Sequence, residues 1–127
     1  MSKKILSIDD SRMVHMVVTK TLRALDVEVI TAVNGQEGLE KAEKEKPDLI
    51  LLDATMPAMN GIEALAALKA NPATRDIPVV MLSADSGKDN VERAIQLGAL
   101  KFVSKPFTGD ALVAALVAHI DLGQKAA

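Results

Sequence analysis

Five short apolar runs, each followed by a segment of helical period, set the terms on which this chain can fold. They occupy residues 5–8, 27–32, 49–52, 79–82 and 102–103. None alternates cleanly between apolar and polar residues along its length. A strand with one wet face has to alternate, because successive side chains point to opposite sides. Short, continuous runs fit strands covered on both faces, as in a parallel sheet lying between helices.

The segments between the runs carry the helical signals. After the first run, Ser11 is placed to cap a helix, and Val14, Val17, Val18, Leu22 and Leu25 recur at helical spacing. The second helix is expected over 36–46, mostly charged and stopped by Pro47. The third is expected over 62–70, with Ile62, Leu65 and Ala66 on its apolar side and Asn71-Pro72 at its end. In the fourth, Val91, Ala94 and Ile95 make the apolar face and Gly98 suits the position just past the helix. In the fifth, Leu112, Val113, Leu116, Val117 and Ile120 form a stripe, with Thr108 or Asp110 as the cap. The order βαβαβαβαβα implies right-handed crossovers and one parallel sheet. No linker, internal repeat or low-complexity stretch interrupts it, so residues 1–127 read as a single domain, with 123–127 expected to fray.

Composition narrows the function classes. The chain is 49% hydrophobic, enough for a core, and carries 15 basic and 17 acidic residues for a net charge of −2. That balance gives no electrostatic case for binding nucleic acid or an anionic membrane. With no Trp or Tyr, Phe102 and Phe107 are the only aromatics, so base-stacking platforms are lacking too. The absence of cysteine removes disulfides, thiolate zinc sites and a thiol nucleophile. No P-loop or G-x-G-x-x-G is present. No apolar stretch nears the roughly 20 residues of a membrane span, and the N-terminal run is too short for a secretion signal. A cytoplasmic protein is the expectation.

The polar residues that end the runs carry the chemistry. Asp9 and Asp10 follow the first run, Asp53 the third, Ser83 the fourth, and Ser104-Lys105 the fifth. In a parallel sheet those ends share one edge, where open α/β sheets bind their ligands. Converging carboxylates repel: two unit charges about 4 Å apart cost roughly 4 kcal/mol at an effective dielectric of about 20. A bound cation or protonation of one carboxyl relieves this. A hard divalent ion suits all-oxygen ligands, and Mg²⁺ suits a site that also handles phosphate. Lys105 offers a point charge to a phosphoryl oxygen, Ser83 a hydroxyl donor, and a carboxylate can itself be the nucleophile.

Four stretches together resemble the receiver domain of two-component response regulators, especially the stand-alone, chemotaxis CheY-like kind. They are Ile8-Asp9-Asp10-Ser11, Leu51 to Pro57 followed by Asn60-Gly61, Met81-Leu82-Ser83-Ala84, and Lys105-Pro106-Phe107. The resemblance spans essentially the whole chain. It implies a flavodoxin-like, doubly wound five-stranded parallel sheet of order 2-1-3-4-5 with five helices. It implies that Asp53 accepts a phosphoryl group from a sensor histidine kinase or histidine phosphotransfer protein. Asp10 would bind Mg²⁺ directly and Asp9 largely through water, with Asp53 and the Thr55 carbonyl completing the protein ligands. Lys105 would contact the phosphate, Ser83 would turn toward it, and Phe102 would pack inward in the active state. The signal would pass to a downstream target protein through the face made by the fourth helix, fifth strand and fifth helix. A monomer or a phosphorylation-dependent dimer is implied, with no direct contact to nucleic acid and no membrane insertion. Thr55 and Asp85 stand where the family tunes water access to the phosphoryl group, and Ala54 brings no aromatic beside Asp53.

Plainer readings stand beside these. Asp9-Asp10 also suits a polar strand end at a helix N-terminus, Ser83 a turn, and Phe102 plain core. His15 and His119 lack metal-ligand spacing and read as ordinary helix residues; Met13, Met16, Met56, Met59 and Met81 read as packing residues. Ala111, Ala114, Ala115 and Ala118 make the other face of the fifth helix, either for docking or because alanine favours helix. Competing functions are a degenerate, binding-only receiver, a receiver belonging to a longer regulator, and a small aspartyl phosphatase of the haloacid-dehalogenase type. The last lacks the second acid, since Thr55 stands there, and has no room for a cap domain.

Overall fold

The computed structural model describes residues 3–10, 12–22, 27–53, 61–83, 88–99 and 101–104. Along the chain run β1 (Lys3–Ile8), α1 (Arg12–Leu22), β2 (Val27–Ala32), α2 (Gly35–Glu45) and β3 (Leu49–Asp53). Then come α3 (Gly61–Ala70), β4 (Val79–Ser83), α4 (Lys88–Gln96) and β5 (Lys101–Ser104). All five strands pair in parallel in the order β2-β1-β3-β4-β5. This is the flavodoxin-like α/β architecture expected from the sequence. The expected fifth helix and the Ser11 cap lie outside the described residues.

The core divides into two layers by strand alternation. Leu6, Ile8, Ile50, Leu52, Val79 and Met81 pack with Ala42 of α2, Ala64, Leu65 and Leu68 of α3, and Ala94 of α4. On the opposite face Ile5, Leu49, Leu51, Val80 and Leu82 pack with Val18 and Leu22 of α1. β3 is buried at every position, aspartate included, because it lies between β1 and β4 and is covered on both faces.

Local chemistry sets the helix ends. Asn34 caps α2, its Oδ1 accepting from the Glu37 amide at 2.8 Å. α2 stops at Glu45, and Lys46 turns left-handed at φ 49° before Pro47, whose own backbone could not have continued the ladder. Past α4, Gly98 takes φ 109° and donates to the Ile95 carbonyl, while Ala99 donates to that of Ala94. This is the Schellman closure that Gly98 suggests in the sequence. Two apolar assignments are corrected: Ile95 is 47% exposed and Met16 70% exposed. Each lies on a helix whose inward side is already supplied, by Ala94 of α4 with Leu97 just past its end and by Val14 with Val18 in α1.

Lys69 ties the end of α3 to the turn before β4, donating to the carbonyls of Arg75 at 3.1 Å and Ile77 at 3.0 Å. Burial of its stem holds its ammonium below the usual lysine value, with Asp76 pulling the other way. The native state therefore releases this proton before the unfolded chain does. The Lys69 contribution to stability rises with pH between the lowered value and 10.5. Urea melts in that alkaline window should show a positive slope in the wild type relative to Lys69→Met.

Gly38 of α2 lies directly on Ile8. A Cβ at this position would fall 2.5 Å from Ile8 Cδ1 and 2.8 Å from Cγ1. Gly38→Ala should therefore lower stability by about 1–3 kcal/mol through overpacking, even though alanine is the better helix former by about 1 kcal/mol. Adding Ile8→Val should recover part of the loss in urea denaturation. Additive losses in the double variant would show that the clash is not the cause.

Candidate metal and phosphoryl-acceptor site

β1 and β3 are neighbours in the sheet although not in the chain, and the connections leaving them go to different sides. Such a switch point opens a crevice at the carboxyl edge. The register carries Ile8 opposite Leu52 and Asp53 opposite Leu82, itself opposite Val103. One residue beyond Ile8, Asp9 is thus level with Asp53. Ser83 and Ser104 pair one step further along.

Three carboxylates gather there. One oxygen each from Asp9, Asp10 and Asp53 lie within 4.8 Å of one another. Asp9 is 1% and Asp53 4% exposed, whereas Asp10 faces solvent. Like charges at this spacing repel by roughly 3 kcal/mol per pair at an effective dielectric of about 20. The donor set fits a small hard cation. Octahedral Mg²⁺ holds oxygens at about 2.1 Å, which puts ligands about 4 Å apart across the ion, comparable to the spread found.

Backbone bonds fix the Asp9 end of this site. The Asp9 amide donates to the Ala32 carbonyl of β2 at 3.0 Å. The Asp9 carbonyl accepts from His15 Nε2 of α1 at 2.7 Å, and His15 Nδ1 lies 3.2 Å from the Ser7 hydroxyl. The sequence alone marks His15 as an ordinary helix residue. A contact that joins two elements through a main-chain carbonyl leaves no spacing signature, so the sequence offered only the neighbouring Val14 and Val18 as a hint that this side of α1 faces the sheet.

Ser83 ends β4 and Phe102 lies in β5 opposite Met81. Phe102 is half-buried against the layer that contains α2, α3 and α4. Lys105 and Thr55 lie outside the described residues, as does Asp85; Lys105 directly follows β5 in the sequence. Among the described residues, no helix is long and apolar enough to cross a membrane.

Fold and site together define a doubly wound α/β protein with an acidic, cation-competent crevice at its switch point. Residues 5–117 match the family described as response regulator receiver domain. The chain is 38% identical over 115 residues to the chemotaxis protein CheY of Listeria monocytogenes, covering 89% of this chain and 94% of that one. It is 44% identical over 107 residues to a protein-glutamate methylesterase/protein-glutamine glutaminase of Archaeoglobus fulgidus. That match takes in 81% of this chain but spans only 30% of the archaeal protein's length. Among solved structures, chemotaxis protein CheY4 of Vibrio cholerae superposes with a TM-score of 0.89 at 31% identity, over 94% of this chain and 100% of that one. The chain belongs to the response regulator receiver domain family and is CheY-like.

The repulsion among the acids should be visible in stability. Without divalent ions, Asp53→Asn is expected to be more stable than the wild type in urea denaturation. Mg²⁺ at ten times its Kd should stabilise the wild type by about 1.4 kcal/mol, and chelation should reverse this. Asp53→Asn should gain much less. Equal gains would place the ion away from these acids.

Proposed function

We propose that this protein is a phosphorylation switch in which Asp53 is the acceptor, and that residues 1–127 act as a single receiver domain. The observation that carries the reading is the placement of Asp53. It ends the central strand, almost wholly buried, with the carboxylates of Asp9 and Asp10 beside it. Membership of the receiver family supports the same reading.

A carboxylate oxygen of Asp53 attacks the phosphorus of a phosphohistidine on a sensor histidine kinase or histidine phosphotransfer protein. The P–N bond breaks, its electron pair stays on the histidine nitrogen, and an acyl phosphate forms on Asp53. Charge neutralisation at the phosphoryl oxygens is the chemistry a Mg²⁺ held by Asp9, Asp10, Asp53 and the Thr55 carbonyl supplies when bound. Lys105 contributes a further positive charge. In the resting protein the buried position of Asp53 limits access of water and of poorly aligned donors.

The new phosphoryl group adds charge and acceptor oxygens at the end of β3. Ser83, at the end of the adjacent β4, turns its hydroxyl to them, and Phe102 follows inward. The face of α4, β5 and the fifth helix then changes shape and is read by a downstream target protein. The protein works as a signalling module in the cytoplasm rather than as an enzyme with a diffusible product.

Intact mass after incubation with acetyl phosphate tests the acceptor. The wild type should gain one phosphoryl group with Mg²⁺ and none without it, and Asp53→Asn should gain none. No gain in the wild type would leave a receiver that binds its partner unmodified. Ser83→Ala should accept the group yet lose most of the phosphorylation-dependent increase in target affinity; an intact increase would remove Ser83 from the switch.

A further inference from the structure

His15 is a side chain of α1 that reaches the acid site. A carbonyl oxygen can only accept, so His15 Nε2 carries the hydrogen in its 2.7 Å bond to the Asp9 carbonyl. In the neutral ring Nδ1 is left to accept from the Ser7 hydroxyl, 3.2 Å away. Ser7 is almost fully buried on the side of β1 that faces α1, the side of Ile5, and Asp9 follows directly after the strand's last residue. With the Asp9 amide held by the Ala32 carbonyl at 3.0 Å, both polar groups of the Asp9 backbone are committed, one to β2 and one to α1.

The peptide that includes the Asp9 carbonyl leads directly into Asp10. Its orientation governs where both carboxylates stand relative to Asp53, and the mutual repulsion of the three acids acts to spread them. We propose that His15 is a positioning residue for the cation site: by fixing the Asp9–Asp10 peptide from α1, it keeps the carboxylates of Asp9 and Asp10 within ligand distance of Asp53 before any ion arrives. This rests on the reading of Asp9, Asp10 and Asp53 as the Mg²⁺ site. The role resembles that of outer partners in metal centres, which orient a ligand without touching the metal and whose loss weakens binding about tenfold or more. Here the partner acts on the main chain of the ligand residue.

Two amide side chains separate the two bonds of the ring. Glutamine places its NH₂ the same number of bonds from Cα as Nε2, so His15→Gln retains a donor for the Asp9 carbonyl. Asparagine matches Nδ1, so His15→Asn reaches only toward Ser7. His15→Leu removes both. Mg²⁺ titrations of the full chain would be read by calorimetry and by the amide ¹H–¹⁵N shifts of Asp9 and Asp10, since the chain has no Trp or Tyr to report. Urea melts without metal would establish that each variant is folded.

His15→Leu and His15→Asn should weaken Mg²⁺ binding about tenfold, and His15→Gln should stay within about threefold of the wild type. A residue that merely stabilised α1 would shift the melts and leave the Kd values of the folded variants together. Equal Kd values for the wild type, His15→Leu and His15→Asn would overturn the proposal, as would His15→Gln binding as weakly as His15→Leu. If the wild type itself bound no Mg²⁺, the cation-site reading would fail and this inference with it. Wild-type binding that Asp53→Asn abolishes, with every His15 variant unchanged, would overturn the His15 role alone.

Discussion

The burial of β3 on both faces is the constraint from which the rest follows. A strand flanked by β1 and β4 and covered by helices above and below can hold its backbone only by full pairing, and its interior side chains only if they are apolar. Leu49 to Leu52 meet that demand. Asp53 does not, and it is tolerated because it lies where the strand leaves the sheet. The same burial that makes the carboxylate costly gives it a fixed position.

From that position the electrostatics are forced. The neighbouring strand in space is β1, not β2, so the residues that follow Ile8 are delivered to Asp53 by the parallel register. They are two more acids. A site with this much like charge suits a cation. The scaffold opposes its spreading through the β2 ladder on one side and His15 on the other. The helices contribute through packing as well: Gly38 lets α2 approach close enough to clamp Ile8, the residue immediately before the acids.

Much of this was legible in the chain. Continuous apolar runs marked buried parallel strands because period-two alternation was missing, and Gly98 marked the end of α4 because few other residues accept its φ. The acids, Ser83 and Lys105 stood out because each follows an apolar run. Other features were not legible. Ile95 has the hydropathy of a core residue but sits outside, since periodicity assigns a stripe and not which of its members the neighbouring elements leave room for. Asn34 caps α2 through a bond to a backbone amide, and His15 reaches a backbone carbonyl. Asn34 is of the residue type that favours an N-cap, so its bond was open to inference from the sequence, whereas a carbonyl partner carries no identity in a sequence and the His15 bond could not be inferred from residue types.

The sequence by itself determined the class of fold, the location of the acids at strand ends and the family to which the chain belongs, because hydrophobic period and residue order are local properties written along the chain. Only the tertiary structure decided that three carboxylate oxygens lie within 4.8 Å, that Asp9 and Asp53 are buried while Asp10 is not, and that a histidine on α1 holds the peptide between the two adjacent acids. Those facts depend on strand order and register, which bring together residues more than forty positions apart, and distance in space is not a property that any one segment carries.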